Sequence, residues 1–519
     1  MTVTLQSIGA RAAILWCLLA SVADVHAQPP PPDAPVPART RMVRVPAFGA
    51  VTVYEPAGTP QHVVLFLSGD GGWNQGVIPM AERLRDQGAL VAGIDIRAFL
   101  KSLEASSSCA YPTGNLEELS RSLQQMLKMP SYRRPIIVGY SSGATMAYAA
   151  VAAAPRDTLA GAISLGFCPD VQIRVPLCHM RGLKASKRAS GTGYDLAPYP
   201  DSAVPWMVLQ GQQDQVCAPA QTERFVRSTG AARLFSLPKV GHGFGVTANW
   251  EPAFLEAYRE VAKASTAADV PRAATAAVAD LSLVEVPAEG TRYPDTMAIV
   301  LSGDGGWAEL DKAVAQGLAA AGIPVVGWSS LDYYWSPRTP ERASADLARI
   351  VEHYTAAWKR PQVIVVGYSF GADVAPFLVN RLPAEARRHT TALVLLAPSG
   401  TASFEFHVAG WLGMTAGATL ATRPEIARLA VPTLCVVPAD EDGSVCPAGN
   451  PRVQSVPALA GHHFGGDYPG LVRTILRAID AAHARVRGVA DVDMASVRTR
   501  APAGDGTATP MRACGRSAR

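Results

Sequence analysis

The string LSGDGGW occurs twice, at Leu67–Trp73 and at Leu301–Trp307. A chain that repeats such a glycine-rich string has to fold as a repeated unit, so the rest of the sequence is best aligned on these two anchors. The alignment extends in both directions. Upstream, RVPA (Arg44–Ala47) pairs with EVPA (Glu285–Ala288). Downstream, LRDQGALVAGIDI pairs with LAAAGIPVVGWSS, and RPIIVGYSSGA (Arg134–Ala144) with RPQVIVVGYSFGA (Arg360–Ala372). Farther on, VPWMVLQGQQDQVCAP answers VPTLCVVPADEDGSVCP, and VGHGFG answers AGHHFG. One domain has been duplicated, as a length of 519 residues also suggests, being too long for one ordinary core.

Within each copy, short apolar runs (VVLFL, LVAGI, IIVGY, GAISLGF, WMVLQ) alternate with amphipathic stretches of helical length. Unbroken apolar runs of that length suit strands buried on both faces of a parallel sheet. The alternation predicts an α/β class, here two tandem doubly wound domains with mostly parallel sheets flanked by helices. The expected layout is an export signal at 1–27, a proline-rich spacer at 28–39 and a first domain at 40–262. An Ala/Thr-rich linker at 263–280, a second domain at 281–484 and a basic tail at 485–519 complete it.

The N-terminus supports export. Arg11 precedes AAILWCLLASVA, too short to span a bilayer, and VHA places small residues before a cleavage point ahead of Gln28. Cys17 lies inside the apolar run, which argues against a lipid-anchored cysteine. The expected address is the periplasm. The net charge of +4 resides in the tail, where seven arginines face three aspartates, so the body carries no nucleic-acid footprint. In an oxidising compartment the remaining cysteines read as disulfides, Cys435–Cys446 foremost. Cys109, Cys168, Cys178 and Cys217 allow three pairings, and Cys514 is left over.

The repeated motifs fall at the carboxyl ends of the expected strands, where α/β sheets place their chemistry. GYSFG (Gly367–Gly371) follows a strand and precedes a helix, the context of a nucleophile elbow. Ser369 is then the nucleophile, and the amide of Phe370 faces the oxyanion. The chain order serine, acid, histidine selects Asp442 as the acid, with Asp440 and Glu441 as alternatives, and His462 as the base, with His463 as the alternative. Asp442 is preferred because DGSV parallels DQV at Asp214 and both precede the matched cysteine, and Ser369 to Asp442 and Ser141 to Asp214 both span 73 residues. The LSGDGGW loop supplies further oxyanion amides from Gly303, Asp304, Gly305 and Gly306, anchored by Trp307. A phosphate loop is disfavoured because no Lys-Ser/Thr follows. Ser141, Asp214 and His242 form a second candidate centre in the first half. No metal-ligand motif of the His-Glu-x-x-His or Cys-x-x-Cys kind occurs, so neither metal nor cofactor is expected.

The run LSGDGGWAELDKAVAQGLAAAGIPVVGWSSLDYYWSPRTPERASADL, with VVGYSFGADVAPF and GHHFGGDY, resembles the VirJ/AcvB family of bacterial virulence proteins. The likeness covers the second half from about Leu283 to Ala481 and is looser in the first half. It implies a periplasmic α/β-hydrolase-like protein that hydrolyses lysyl-phosphatidylglycerol, an aminoacylated anionic phospholipid at the membrane surface. It also implies an association with type IV secretion-system proteins. Other serine esterase or peptidase activity, or a non-enzymatic role in secretion, are the rival readings. A lysyl ester carries ammonium groups, so Asp373 and Asp304, beside the two oxyanion turns, are the expected substrate contacts together with Trp307. Asp467 is a third carboxylate. Aromatic Leu331–Trp335 and Phe404–Gly413 read either as pocket or lid segments or as core.

Overall fold

The computed structural model describes residues 37–486 except 106–108, 156, 179, 190, 268–275, 407–418, 442, 448 and 459–460. The export signal, most of the spacer, nearly all of the tail with Cys514, and Asp442 lie outside the described residues, as does part of Phe404–Gly413. No described helix is long and apolar enough to cross a membrane.

The first half contributes β1 (Arg39–Val45), β2 (Gly49–Glu55), β3 (His62–Leu67), β4 (Ala89–Ile94), β5 (Ile136–Tyr140) and β6 (Gly161–Leu165). A small three-stranded sheet of β7 (Asp170–Val171), β8 (Ala185–Lys187) and β9 (Tyr194–Leu196) follows, then β10 (Trp206–Gly211) and β11 (Ala232–Leu237). The second half contributes β12 (Leu283–Val286), β13 (Thr296–Leu301), β14 (Val325–Trp328), β15 (Gln362–Tyr368) and β16 (Thr390–Leu396). A hairpin of β17 (Thr401–Ser403) and β18 (Thr419–Ala421) precedes β19 (Thr433–Pro438) and β20 (Val453–Ala458).

The first main sheet runs β1-β2-β4-β3-β5-β6-β10-β11, and the second runs β12-β14-β13-β15-β16-β19-β20. Apart from the extra edge strand β1, the two orders are the same. Each is parallel except at the edge where β2 meets β4 and β12 meets β14, and β1 pairs antiparallel with β2. The architecture is therefore two α/β-hydrolase folds in tandem. Apolar residues cover both faces because helices flank both faces: β4 and β10 are buried at every position.

The repeated LSGDGGW string now has a structural account. Its serine ties two strand ends together: Ser68 Oγ accepts from the Ile96 amide at 3.1 Å, and Ser302 Oγ accepts from the Ser330 amide at 2.9 Å. Its last glycine, Gly72 or Gly306, has φ +76°, a conformation open to glycine at little cost. Its tryptophan lies flat over a glycine of the neighbouring strand. A Cβ on Gly93 would fall 2.0 Å from Trp73, and one on Gly327 would fall 2.4 Å from Trp307.

The halves are packed together around Leu331, Trp335 and Phe406, with Tyr132 of the first half against them. Trp335 Nε1 donates to the Met129 carbonyl at 2.7 Å, and Gln125 donates to the Trp335 carbonyl at 3.1 Å. The Leu331–Trp335 aromatics are thus buried packing and not a lid, with Tyr333 and Tyr334 inside the second core. The helix Glu251–Ala267 runs into the Ala/Thr-rich segment, and Val278 and Leu281 from its far end are buried in the second core. Among the described residues three disulfides are present: Cys109–Cys178, Cys168–Cys217 and Cys435–Cys446.

Filling the tryptophan seat tests its importance. Gly327→Ala is expected to destabilise the protein by about 1–3 kcal/mol, the cost of overpacking a tight contact, seen as a lowered urea midpoint.

Candidate active sites

Each candidate nucleophile sits where the central strand turns sharply into a helix. Ser141 has φ 54° and ψ −120°, and Ser369 has φ 50° and ψ −117°, left-handed values that a non-glycine residue adopts only when its surroundings hold it there. The surroundings are the flanking glycines. A Cβ on Gly139 would lie 2.0 Å from the Gly143 carbonyl oxygen, and one on Gly143 would lie 2.4 Å from that of Leu67. In the second half, Gly367 and Gly371 make the same contacts, at 2.4 Å to the Gly371 carbonyl and 2.3 Å to the Leu301 carbonyl. Both serines precede helices, Ser142–Ala153 and Phe370–Asn380, so the Phe370 amide opens a helix N-terminus.

In the second half, Ser369 Oγ lies 2.7 Å from His462 Nε2, and His462 Nδ1 lies 2.7 Å from Glu441 Oε1. The structure thus brings Glu441 to the imidazole where equal spacing had favoured Asp442, which lies outside the described residues. Asp440 instead accepts from the Gly461 amide at 2.6 Å, fixing the histidine loop. His463 turns to Tyr368, whose hydroxyl lies 3.1 Å from its Nδ1, and burial lowers its basicity. Of the glycine-loop residues, Gly303 abuts the serine: a Cβ there would lie 3.6 Å from Ser369 Cβ, whereas one on Gly305 would meet open space.

The expected substrate carboxylates divide. Asp373 is turned inward, accepting from the Ser399 amide and from Ser399 Oγ at 2.5 and 2.8 Å, and burial pushes its carboxyl up to about 7. This is a structural tether, since its counterpart Thr145 likewise bonds the next loop, donating to the Cys168 carbonyl at 2.6 Å. Asp304 is 59% exposed on the glycine loop, with Arg121 of the first half 3.5 Å away. Trp307 serves as the loop's packing anchor on Gly327. Asp467 accepts from the Gly470 amide at the start of the last helix.

Sequence reasoning overlooked Asp311. It lies fully buried beneath the glycine loop, with one oxygen accepting from the Ala308 amide at 3.2 Å and the other without a partner. Burial pushes its carboxyl up to about 8, against the pull of the Ala308, Asp311 and Gly303 amides. A usable signal exists: an aspartate at a helical core position that the first half fills with Val77.

The first half holds a second complete relay. Ser141 Oγ lies 2.9 Å from His242 Nε2, and His242 Nδ1 lies 2.9 Å from Asp214 Oδ2. Asp214 is entirely sequestered, its side chain 0% exposed against 31% for Glu441. Its Oδ1 accepts from the Val216 and Cys217 amides at 2.8 Å each, and Gln210 donates to Oδ2 at 3.1 Å. Asp214, Cys217 and His242 lie close enough together to share an ion, but Cys217 is bonded to Cys168 and the other two to each other. In both halves the elbow tyrosine steadies the histidine loop: Tyr140 donates to the His242 carbonyl and Tyr368 to the His462 carbonyl.

Residues 61–230 and 295–483 match the model of the family described as bacterial virulence protein (VirJ). Among solved structures, the chain is similar to the esterase domain of a Rhodothermus marinus protein, at 13% identity and a TM-score of 0.30, covering 44% of this chain and 99% of that one. It is similar to a dienelactone hydrolase from Anabaena variabilis at 17% identity and a TM-score of 0.31, covering 43% and 96%. An α/β serine hydrolase without lid from Xanthomonas campestris matches at 18% identity and a TM-score of 0.30, covering 44% and 96%. Among curated proteins no match is found.

Two predictions follow from the second site. Glu441→Gln is expected to slow covalent labelling of Ser369 by a fluorophosphonate about 100-fold or more, with Asp442→Asn within about threefold of wild type, read by peptide mapping. Asp311 has a folded-state pKa above its unfolded value of about 4, so its stabilising contribution is full below that pH and is lost as pH rises to about 8. Asp311→Asn is therefore expected to raise the melting temperature relative to wild type at pH 8 and not at pH 4.

Proposed function

The chain belongs to the bacterial virulence protein family VirJ, and on that footing we propose that it is an exported serine hydrolase that frees lysine from lysyl-phosphatidylglycerol. The observation that carries this reading is the charge around Ser369. Asp304 stands exposed on the glycine loop and Glu441 lies against the base, both partly open to solvent. A lysyl ester brings an α-ammonium and a side-chain ammonium to its carbonyl, and such a field attracts cations. Asp304 is the carboxylate best exposed to meet them.

The chemistry follows from the distances. Ser369 Oγ passes its proton to His462 Nε2 and attacks the ester carbonyl carbon, while Glu441 stabilises the imidazolium. The Phe370 amide, with Gly303 alongside, faces the oxyanion. The carbon–oxygen bond to the lipid glycerol breaks, and that oxygen takes the proton from His462. Water, deprotonated by His462, then releases lysine and restores the serine. The open second site, with His462 43% exposed, suits a headgroup presented at a membrane surface. Three disulfides support the periplasm as the place of action. Contact with secretion-system proteins rests on the family alone.

Ser369→Ala is expected to reduce lysine release from lysyl-phosphatidylglycerol vesicles about 1,000-fold or more with an unchanged circular dichroism spectrum. Asp304→Asn is expected to raise KM for that lipid about tenfold. Wild-type release rates in Ser369→Ala would defeat the mechanism, and a wild-type protein that releases no lysine would defeat the substrate.

A further inference from the structure

We propose that the first half is a second working hydrolase centre, with Ser141 as nucleophile, and that it takes esters of uncharged, apolar acyl groups. Its relay is as well formed as that of the second half. The serine is held at the same strained angle, the two hydrogen bonds of the relay are 2.9 Å each, and the acid is buried with three donors on its carboxylate. A scaffold that had lost its chemistry would have no need to keep a shielded, bonded carboxylate behind a histidine that touches a strained serine.

The surroundings differ from the second centre in one consistent direction. Where the second half places Glu309, Asp311, Asp373 and Asp467, the aligned first-half residues are Gln75, Val77, Thr145 and Thr247. Asp440 and Glu441 align with Gln212 and Gln213. On the glycine loop itself, Leu331 packs over Gly306, whereas over Gly72 the first half places the guanidinium of Arg97, bonded to Asp95. Asp70, the counterpart of Asp304, is the acidic group of the loop that remains. With Asp214 as the relay acid and Arg97 neutralised by Asp95, the first centre offers fewer carboxylates to a cationic acyl group than the second.

What replaces charge is apolar surface. Among the described residues, four large hydrophobic side chains are strongly exposed, and two of them flank this centre: Val216, 67% exposed on the acid loop, and Val246, 61% exposed on the base loop. The second-half counterpart of Val246 is Gly466. Exposed valines on the two loops that deliver acid and base give an uncharged acyl chain a surface to cover.

The reaction balances as a two-step hydrolysis. Ser141 Oγ bonds to the carbonyl carbon while its proton passes to His242. The ester carbon–oxygen bond breaks, and the alcohol leaves with that proton. Water then cleaves the acyl-serine, giving a carboxylic acid and free serine. The proposal stands apart from lysine release, so its test uses different probes. With Ser369→Ala in the full chain, hydrolysis of p-nitrophenyl butyrate is expected to stay above half the wild-type rate, a fluorophosphonate to label the Ser141 peptide, and butyrate to be preferred over a lysine p-nitrophenyl ester at least tenfold. With Ser141→Ala, butyrate hydrolysis is expected to fall at least tenfold. Loss of butyrate hydrolysis in Ser369→Ala, its retention in Ser141→Ala, or an unlabelled Ser141 in a folded protein would overturn the second centre. A preference for the lysine ester would overturn its substrate class. Absence of lysine release from the wild type would touch neither result.

Discussion

The close approach of backbone at the two elbows is the constraint on which the rest depends. The strand, the helix after it and the glycine loop of the neighbouring strand converge until a carbonyl oxygen stands where the Cβ of Gly139, Gly143, Gly367 or Gly371 would be. Only that proximity can hold Ser141 and Ser369 at positive φ. Once it is met, the serine hydroxyl projects above the sheet edge, the following amide opens a helix, and the loops after the later strands need only arrive from one side. The sheet supplies rigidity because its strands are buried on both faces and cannot slip register without exposing an entire apolar run.

The two halves share this frame and diverge in what surrounds it. The same tether from the elbow helix to the next loop is made by a carboxylate in one half, Asp373 on Ser399, and by a hydroxyl in the other, Thr145 on the Cys168 carbonyl. The same loop support is Asp311 in one half and Val77 in the other. Such exchanges keep the strand order of the frame and change the polar groups around it. The halves are not independent in space, however. Arg121 of the first half reaches Asp304, and Arg181 pairs with Glu309, so the glycine loop of the second site is partly walled by its neighbour.

Much of this is legible in the sequence because the duplication supplies its own comparison. Two copies of LSGDGGW, of the GYSxG turn and of the histidine loop fix strand ends and the fold class without any outside alignment. The serines and histidines that meet in each half are those the two copies align, and His463 falls opposite Gly243. The acid is harder. Equal spacing assumes that the loops are superimposable, yet the second loop carries three adjacent carboxylates. Which one faces the imidazole depends on local turn geometry that the letters do not carry, and among the described residues it is Glu441. Asp373 and the Leu331–Trp335 aromatics illustrate a second limit: a charged or aromatic residue beside a site has the same letter whether it faces substrate or interior. The pairing of the early cysteines is likewise beyond spacing, since it depends on which loops the sheet order brings together.

Those disulfides add the last step. In the first half Cys217, three residues after the acid, is tied to Cys168 on the loop after β6; in the second, Cys446 is tied back to Cys435 within β19. The cysteine after the acid recurs while its partner does not. What the two halves share is a crosslink on the acid loop, and it bears on the relay. The serine is held by the elbow and the histidine loop by the elbow tyrosine, whereas the acid sits on a loop that the sheet alone does not fix. A crosslink at that loop removes open conformations from the chain, and it keeps the carboxylate within hydrogen-bond distance of an imidazole whose orientation depends on it.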